Sequence, residues 1–314
     1  MTSNVRCLAL LWLLLTACAP RPVIMQTGPA AGAHPLSGRI WDTRAQDWVS
    51  TTELERRLTR ARYVLLGEVH DNAGHHRLRR VLLAAMVRDG RRPAIAMEQF
   101  DREHQPALQR VQNEPAPTPD LLKTAGRVDA QGWNWSFYEP IIRLALEHRL
   151  PIVAANLSRA DAFRVSTEGA AAVLGPAAVS ALQLDQPLPG AARLKLEQVI
   201  EDGHCGKAPP NILPGMVAAQ RARDAIMAQT LQAHAPAVLI AGNGHVRRDF
   251  GVPHYLAHYP QGDDVRAVGF IEVDAAQPAP TDYVTAGAPE YDYIAFTPRT
   301  PRPDPCKDLR FKQR

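Results

Sequence analysis

Four polar clusters, each closing an apolar run, carry the chemistry this sequence offers. Gly67-Glu68-Val69-His70 follows Tyr63-Val64-Leu65-Leu66, and Glu98-Gln99 follows Pro93-Ala94-Ile95-Ala96-Met97. Asn156 follows Pro151-Ile152-Val153-Ala154-Ala155, and Gly242-Asn243-Gly244-His245 follows Ala237-Val238-Leu239-Ile240-Ala241. Side chains two apart in an extended chain share a face. The spacing therefore predicts Glu68 beside His70 and Asn243 beside His245. Two carboxylates and two imidazoles in one hollow can serve as general base and acid. They can also hold a divalent metal, with His70, His245 and Glu68 as the candidate ligands. The glycines of the repeated Gly-x-x-His motif suit sharp exits from a strand.

The elements needed to position these groups are legible as a pattern. The apolar runs have the character of strands buried on both faces. Helical spacing separates them, as in Leu78, Leu82, Ala85 and Met86, in Tyr138 to His148, and in a long helix from about 215 to 234. Val265 to Val273 reads as a fifth strand, Tyr291 to Phe296 as an edge strand, and Arg39 to Val49 as a short hairpin. Alternation of this kind predicts an α/β fold with a mainly parallel central sheet flanked by helices and an inserted helical lobe at about 159–214. In such sheets ligands bind beyond the carboxyl ends of the strands. That is where the four clusters fall, with Asn156, Asn243, Arg223 and Arg247 expected to line the pocket. His75-His76 reads as a solvated pair.

The 314 residues carry a net charge of +4 and are 46% hydrophobic, the balance of an ordinary globular protein. The arginines form no basic stripe, which argues against nucleic acid as a partner. Arg6 followed by the apolar run Cys7 to Leu15 has the form of a signal peptide, too short to span a bilayer. It ends in Leu15-Thr16-Ala17-Cys18, a lipobox. Residues 1–17 are thus expected to be removed and Cys18 to be lipidated, anchoring the chain by its acyl groups. Residues 18–37 make a tether, 38–275 the main domain and 276–314 an edge strand and tail. Ala19 points to an outer-membrane lipoprotein on the periplasmic or cell-surface side. In an oxidising compartment the remaining Cys205 and Cys306 are expected to pair.

Taken in order, several motifs resemble the ChaN family of haem-binding lipoproteins, in the superfamily of Tiki metalloproteases and erythromycin-esterase-like enzymes. They are Tyr63 to Asp71, Ala96-Met97-Glu98, Trp135-x-x-Tyr138-x-Pro140, Ala154 to Arg159, His204-Cys205-Gly206, Met216 to Ala228, and Gly242 to Pro253. The resemblance covers roughly residues 38 to 260. It implies haem binding in iron uptake, with haem in a pocket shared by two monomers, so that haem would induce a homodimer. It further implies a tyrosine on the iron, for which Tyr138 and then Tyr255 are the candidates. A histidine and a lysine on the propionates would be His204 and Lys207. Tyrosinate is a recognised axial ligand. The receptor or transporter that would share this traffic is left open. The alternative stays a metal-dependent hydrolase using Glu68, His70, Glu98 and His245.

Overall fold

The computed structural model describes residues 34–304, 306 and 307. The signal peptide, Cys18 and most of the tether lie outside these residues. The chain opens with a hairpin, β1 (Ile40–Asp42) and β2 (Asp47–Val49), then α1 (Thr51–Arg60), β3 (Tyr63–Leu66), α2 (Ala73–Arg88) and β4 (Ala94–Asp101). A 3-10 turn at Arg102–His104 leads into α3 (Gln105–Gln112), α4 (Pro119–Ala125), α5 (Trp135–Glu147) and β5 (Ile152–Asn156). Next come α6 (Arg159–Glu168), α7 (Ala170–Leu174), α8 (Pro176–Ala181), α9 (Gly190–Gly203) and α10 (Leu213–Ala233). The chain closes with β6 (Ala237–Ile240), α11 (Val252–Leu256), β7 (Val265–Glu272) and β8 (Tyr293–Thr297).

The eight strands form one sheet in the order β2-β1-β8-β7-β3-β6-β4-β5. It is mixed: β8, β7, β3, β6, β4 and β5 run parallel, and the β1–β2 hairpin adds antiparallel to β8. Tyr291 to Phe296 was expected at an edge; the strand it forms instead lies inside the sheet, because the N-terminal hairpin returns to cover it. The four-residue strands β3 and β6 are buried along their whole length, which fits their apolar runs. One face packs under α10 and α11 through Tyr63, Leu65, Leu239, Ile226 and Leu256. The other packs under α1, α2 and α5 through Val64, Leu66, Leu83, Ile141 and Phe270.

The segment 159–214 folds as four helices, but α6 is joined to the main core through Ala162 and Val165. Among the described residues of this segment, α9 alone has an apolar cluster apart from the main core, Leu188, Ala192 and Leu196 with Val217 and Phe250. Among the described residues no helix is long and apolar enough to cross a membrane. Beyond β8 the chain runs beside the carboxyl ends of β3 and β7. Arg302 bridges Asp71 and Glu272, and a disulfide joins Cys306 to Cys205 beyond the end of α9.

The edge strand β5 is closed by side chains rather than by another strand. Gln112 donates to the Ile152 carbonyl (2.9 Å) and accepts from its amide (2.8 Å), and Gln105 accepts from the Ala154 amide (2.6 Å). Such capping removes a template for strand addition. Gln112→Ala strands both groups of a residue that is 1% exposed. It is expected to lower stability by about 1–3 kcal/mol in urea unfolding. A loss below about 0.5 kcal/mol would mean that water replaces the amide without cost.

Candidate functional site

Parallel β3, β6, β4 and β5 end at one rim, and the exits of β3 and β6 touch. A Cβ on Gly67 would lie 2.2 Å from Asn243 Oδ1, so only glycine allows that approach. A Cβ on Gly242 would lie 3.1 Å from His70 Cε1, with Glu98 Oε2 at 3.7 Å. The second glycine of the repeated motif is thus the floor on which the first motif's imidazole rests. Glu98 takes the Gly242 amide on Oε2 (2.8 Å), and its Oε1 lies 3.3 Å from His245 Nε2. Glu68, His70, Glu98 and His245 therefore converge, as their strand-end positions predicted.

Each imidazole is backed by a carboxylate. His70 Nδ1 donates to Glu68 Oε1 (2.6 Å), and His245 Nδ1 to Asp224 Oδ1 on α10 (2.5 Å), with the Gln220 amide 3.1 Å from the same nitrogen. Burial opposes an imidazolium at His245, but Glu98 and Asp224 outweigh it and push the pKa up to about 10. Burial alone would raise Glu98; His245 and His70 hold it far below the usual carboxylate range. Burial pushes Asp224 up to about 6 against the pull of His245. The site thus holds His245 as a cation beside an ionised Glu98.

His70 differs from His245 in being open. Its side chain is 51% exposed, whereas that of His245 is 8% exposed, and it stands edge-on to Trp133 with ring centres 4.7 Å apart. Burial works against its charge, but the Glu68 hydrogen bond and the field of Glu98 raise its pKa above the ordinary value.

Beneath the rim lies a buried layer that the sequence did not reveal. Arg79 on α2 is fully buried and forms an ion pair with Glu68. It also donates to His76 Nδ1 (2.6 Å), while His76 Nε2 donates to the His70 carbonyl (2.9 Å). Burial, then Arg79, depress the His76 pKa to about 4, so this ring is neutral. His75 is neutral too, its pKa lowered to about 4 chiefly by burial; it accepts from the Val69 amide (2.9 Å) and bonds Thr297 (2.7 Å). The expected solvated pair is thus a buried one. The available signal was the spacing His76-x-x-Arg79 on a helix that starts just after a Gly-x-x-His motif, since residues three apart meet on a helix.

The remaining candidates fall in several places. Tyr138 is 1% exposed and donates its hydroxyl to Glu68 Oε1 (2.7 Å). Burial and the Glu68 charge drive its pKa far above the ordinary value. Tyr255 is 2% exposed, accepts from Arg221 (3.0 Å), and is pushed up to about 12 by burial. In the structure as it stands, the Tyr138 hydroxyl is engaged by Glu68 and the Tyr255 hydroxyl by Arg221. Asn243 turns away from the rim to bond the Phe270 carbonyl and amide (2.7 and 3.1 Å). It sits in a turn, so the extended-chain spacing does not apply. Asn156 is buried at the end of β5. Arg223 is half-buried on α10, close enough to offset part of the burial that raises Asp101 to about 6. Arg247 is committed to Asp249 (2.6 Å) and Glu290 (3.6 Å) and lies over Phe250. His204 Nδ1 bonds the Ile200 carbonyl, and Lys207 bonds the Cys306 carbonyl (2.7 Å each), beside the expected and observed disulfide.

The tentative metal set is not assembled. Among the described residues there is no group of three or more His, Cys, Asp or Glu that could hold a metal ion. The reason is visible at Glu68, whose two oxygens are already occupied by Tyr138, His70 and Arg79.

Residues 54–256 match the model of a family in the Tiki superfamily, and this span contains every rim residue named above. The chain belongs to that family, ChaN, described as haem-binding uptake. Among solved structures it is similar to ChaN of Campylobacter jejuni, described by its cofacial haem binding. The TM-score is 0.61 at 23% identity, over 82% of this chain and 95% of that one. Weaker likenesses are to a mutant of the erythromycin esterase EreC (TM-score 0.39, 15% identity, 77% of this chain and 78% of that one) and to the type III effector HopBA1 (0.43, 11%, 79% and 93%). A comparison with curated proteins gave no match.

Proposed function

We propose that this chain is a lipid-anchored haem-binding protein of haem or iron uptake, which takes haem at the carboxyl rim of its sheet. The observation that carries the reading is the family match across residues 54–256. The described residues suit such a ligand. A haem needs an apolar wall, cations for its propionates and a group toward its iron. Phe163 (57% exposed) and Ile212 (38% exposed) each lie three residues from the close contact between Ser166 on α6 and Gly215 on α10. Arg223, further along α10, is a cation for a propionate. His70 has an accessible ring whose other nitrogen is fixed by a carboxylate, the arrangement that orients imidazole ligands toward metals. We assign to His70, rather than to Tyr138 or Tyr255, the contact toward the iron. Haem would supply the redox-active iron centre, and the chain's part is to bind, orient and shield it. A second copy facing the exposed apolar residues completes the pocket, and an acylated Cys18 keeps the protein at the outer membrane.

Titration of the purified protein with hemin is expected to give a Soret band. His70→Ala should weaken binding at least tenfold, with a shifted band, while Tyr138→Phe leaves the spectrum unchanged. Sedimentation should show a dimer only with hemin. Absence of any spectral change in the wild type would reject the reading, and loss in Tyr138→Phe alone would return the ligand to the tyrosine.

A further inference from the structure

The opposite rim of the sheet, at the amino ends of the same strands, holds a second collection of charge. A cavity of about 430 Å³ opens there, lined by Arg60 at the end of α1, Arg62 before β3, Arg91 before β4, Pro236 before β6, and Asp263 and Asp264 before β7. Arg91 is held in place by its donation to the Ala61 carbonyl (2.6 Å), and its Nε is buried with no hydrogen-bond partner. Arg62 is braced on Tyr63, whose hydroxyl accepts from its Nε (3.2 Å). Among the described residues, the ion pairs made by arginines of α1 and α2 belong to Arg56, Arg57, Arg79 and Arg88. Arg60, Arg62 and Arg91 make none, although two aspartates line the same cavity. One of these, Asp264, accepts the Arg62 amide instead (3.1 Å). Guanidinium groups left unpaired beside available carboxylates, two of them fixed by the protein, are a preorganised fork for a tetrahedral oxyanion.

We propose that this cavity is an anion site for a phosphate group, either free or on a lipid headgroup. The site is separate from the rim cluster and does not depend on haem. Its position has a consequence for an anchored protein: a headgroup phosphate bound at the amino ends of the strands leaves the carboxyl rim facing away from the membrane.

The test uses the mature chain, residues 18–314, carrying Cys18→Ser, which has neither the apolar signal segment nor an acylation site, so that capture by vesicles reports the folded protein. Calorimetry with inorganic phosphate at low salt is expected to show binding. Arg60→Glu, an exposed change at a helix end, should weaken it at least tenfold, and Arg91→Ala should do the same. Arg110→Glu, on α3, controls for net charge and should leave affinity unchanged, with melting curves verifying that each variant folds. If vesicles containing phosphatidylglycerol, and not those of phosphatidylcholine alone, capture the protein in an Arg60-dependent way, the phosphate is a headgroup's. If phosphate binds but neither vesicle captures, the ligand is free phosphate. No binding of either probe, or equal loss in Arg110→Glu, would overturn the proposal.

Discussion

Arg79→Met is expected to cost the fold about 3–5 kcal/mol, the scale found when one partner of a buried ion pair is removed and the other is left charged. The reason is the position of Glu68. Its side chain is inaccessible to solvent, and burial alone would raise its pKa; Arg79, with the hydrogen bond from His70 and the field of His76, holds it below the ordinary value. Without the guanidinium, Glu68 must stay charged in an apolar setting or take up a proton and lose its hold on His70. The double variant Glu68→Gln, Arg79→Met removes both charges and should recover a large part of the loss, because isosteric replacement of a buried pair is often close to neutral. Urea unfolding of wild type, both single variants and the double gives the coupling directly. If the single and double variants are equally unstable, the pair is not the source of the cost and the lost packing of the Arg79 stem is.

A second large effect is expected in the pH dependence of stability. His245 is held near a pKa of about 10, against about 6.5 for a free imidazole. The folded state therefore keeps a proton that the unfolded chain releases. The stabilisation is complete below about pH 6.5 and is lost as pH rises through about 10. Glu98 acts in the opposite direction: its depressed pKa stabilises the fold above the ordinary carboxylate range, and this is lost in acid. The stability of wild type should thus fall between pH 6.5 and 10 by an amount on the order of a few kcal/mol. His245→Gln should be less stable at pH 6 and nearly flat over that window. Urea midpoints at half-unit steps of pH measure both. An equal slope in wild type and His245→Gln would assign the titration to another group.

Much of this arrangement was legible in advance, and the exceptions have common causes. The strands carrying Glu68, Glu98, Asn156 and His245 announced themselves because four or five consecutive apolar residues suit a strand covered on both faces. Their convergence followed from parallel topology, which places all such exits at one rim. Strand order was not legible: nothing local in Tyr293 to Thr297 says that a hairpin more than two hundred residues earlier will cover it. Asn243 misled because an alternation rule for strands was extended into a turn. Arg79 and His76 were hidden for a different reason. A charged residue on a helix reads as solvated, and only the third dimension shows that the helix faces a carboxylate at a strand end. Tyr138 was correctly placed at a helix start beside tryptophans, but hydroxyl direction is decided by which acceptor is near, and that acceptor is Glu68.

The Cys205–Cys306 bond, with a sequence separation of 101, makes about a third of the chain a covalent ring rather than a free strand. Within that ring lie α10, β6, β7 and β8, and so Asp224 and His245. The segment that carries Asp224 and His245 is therefore tied at both ends, and its unfolding gains less conformational entropy than that of an open chain of the same length.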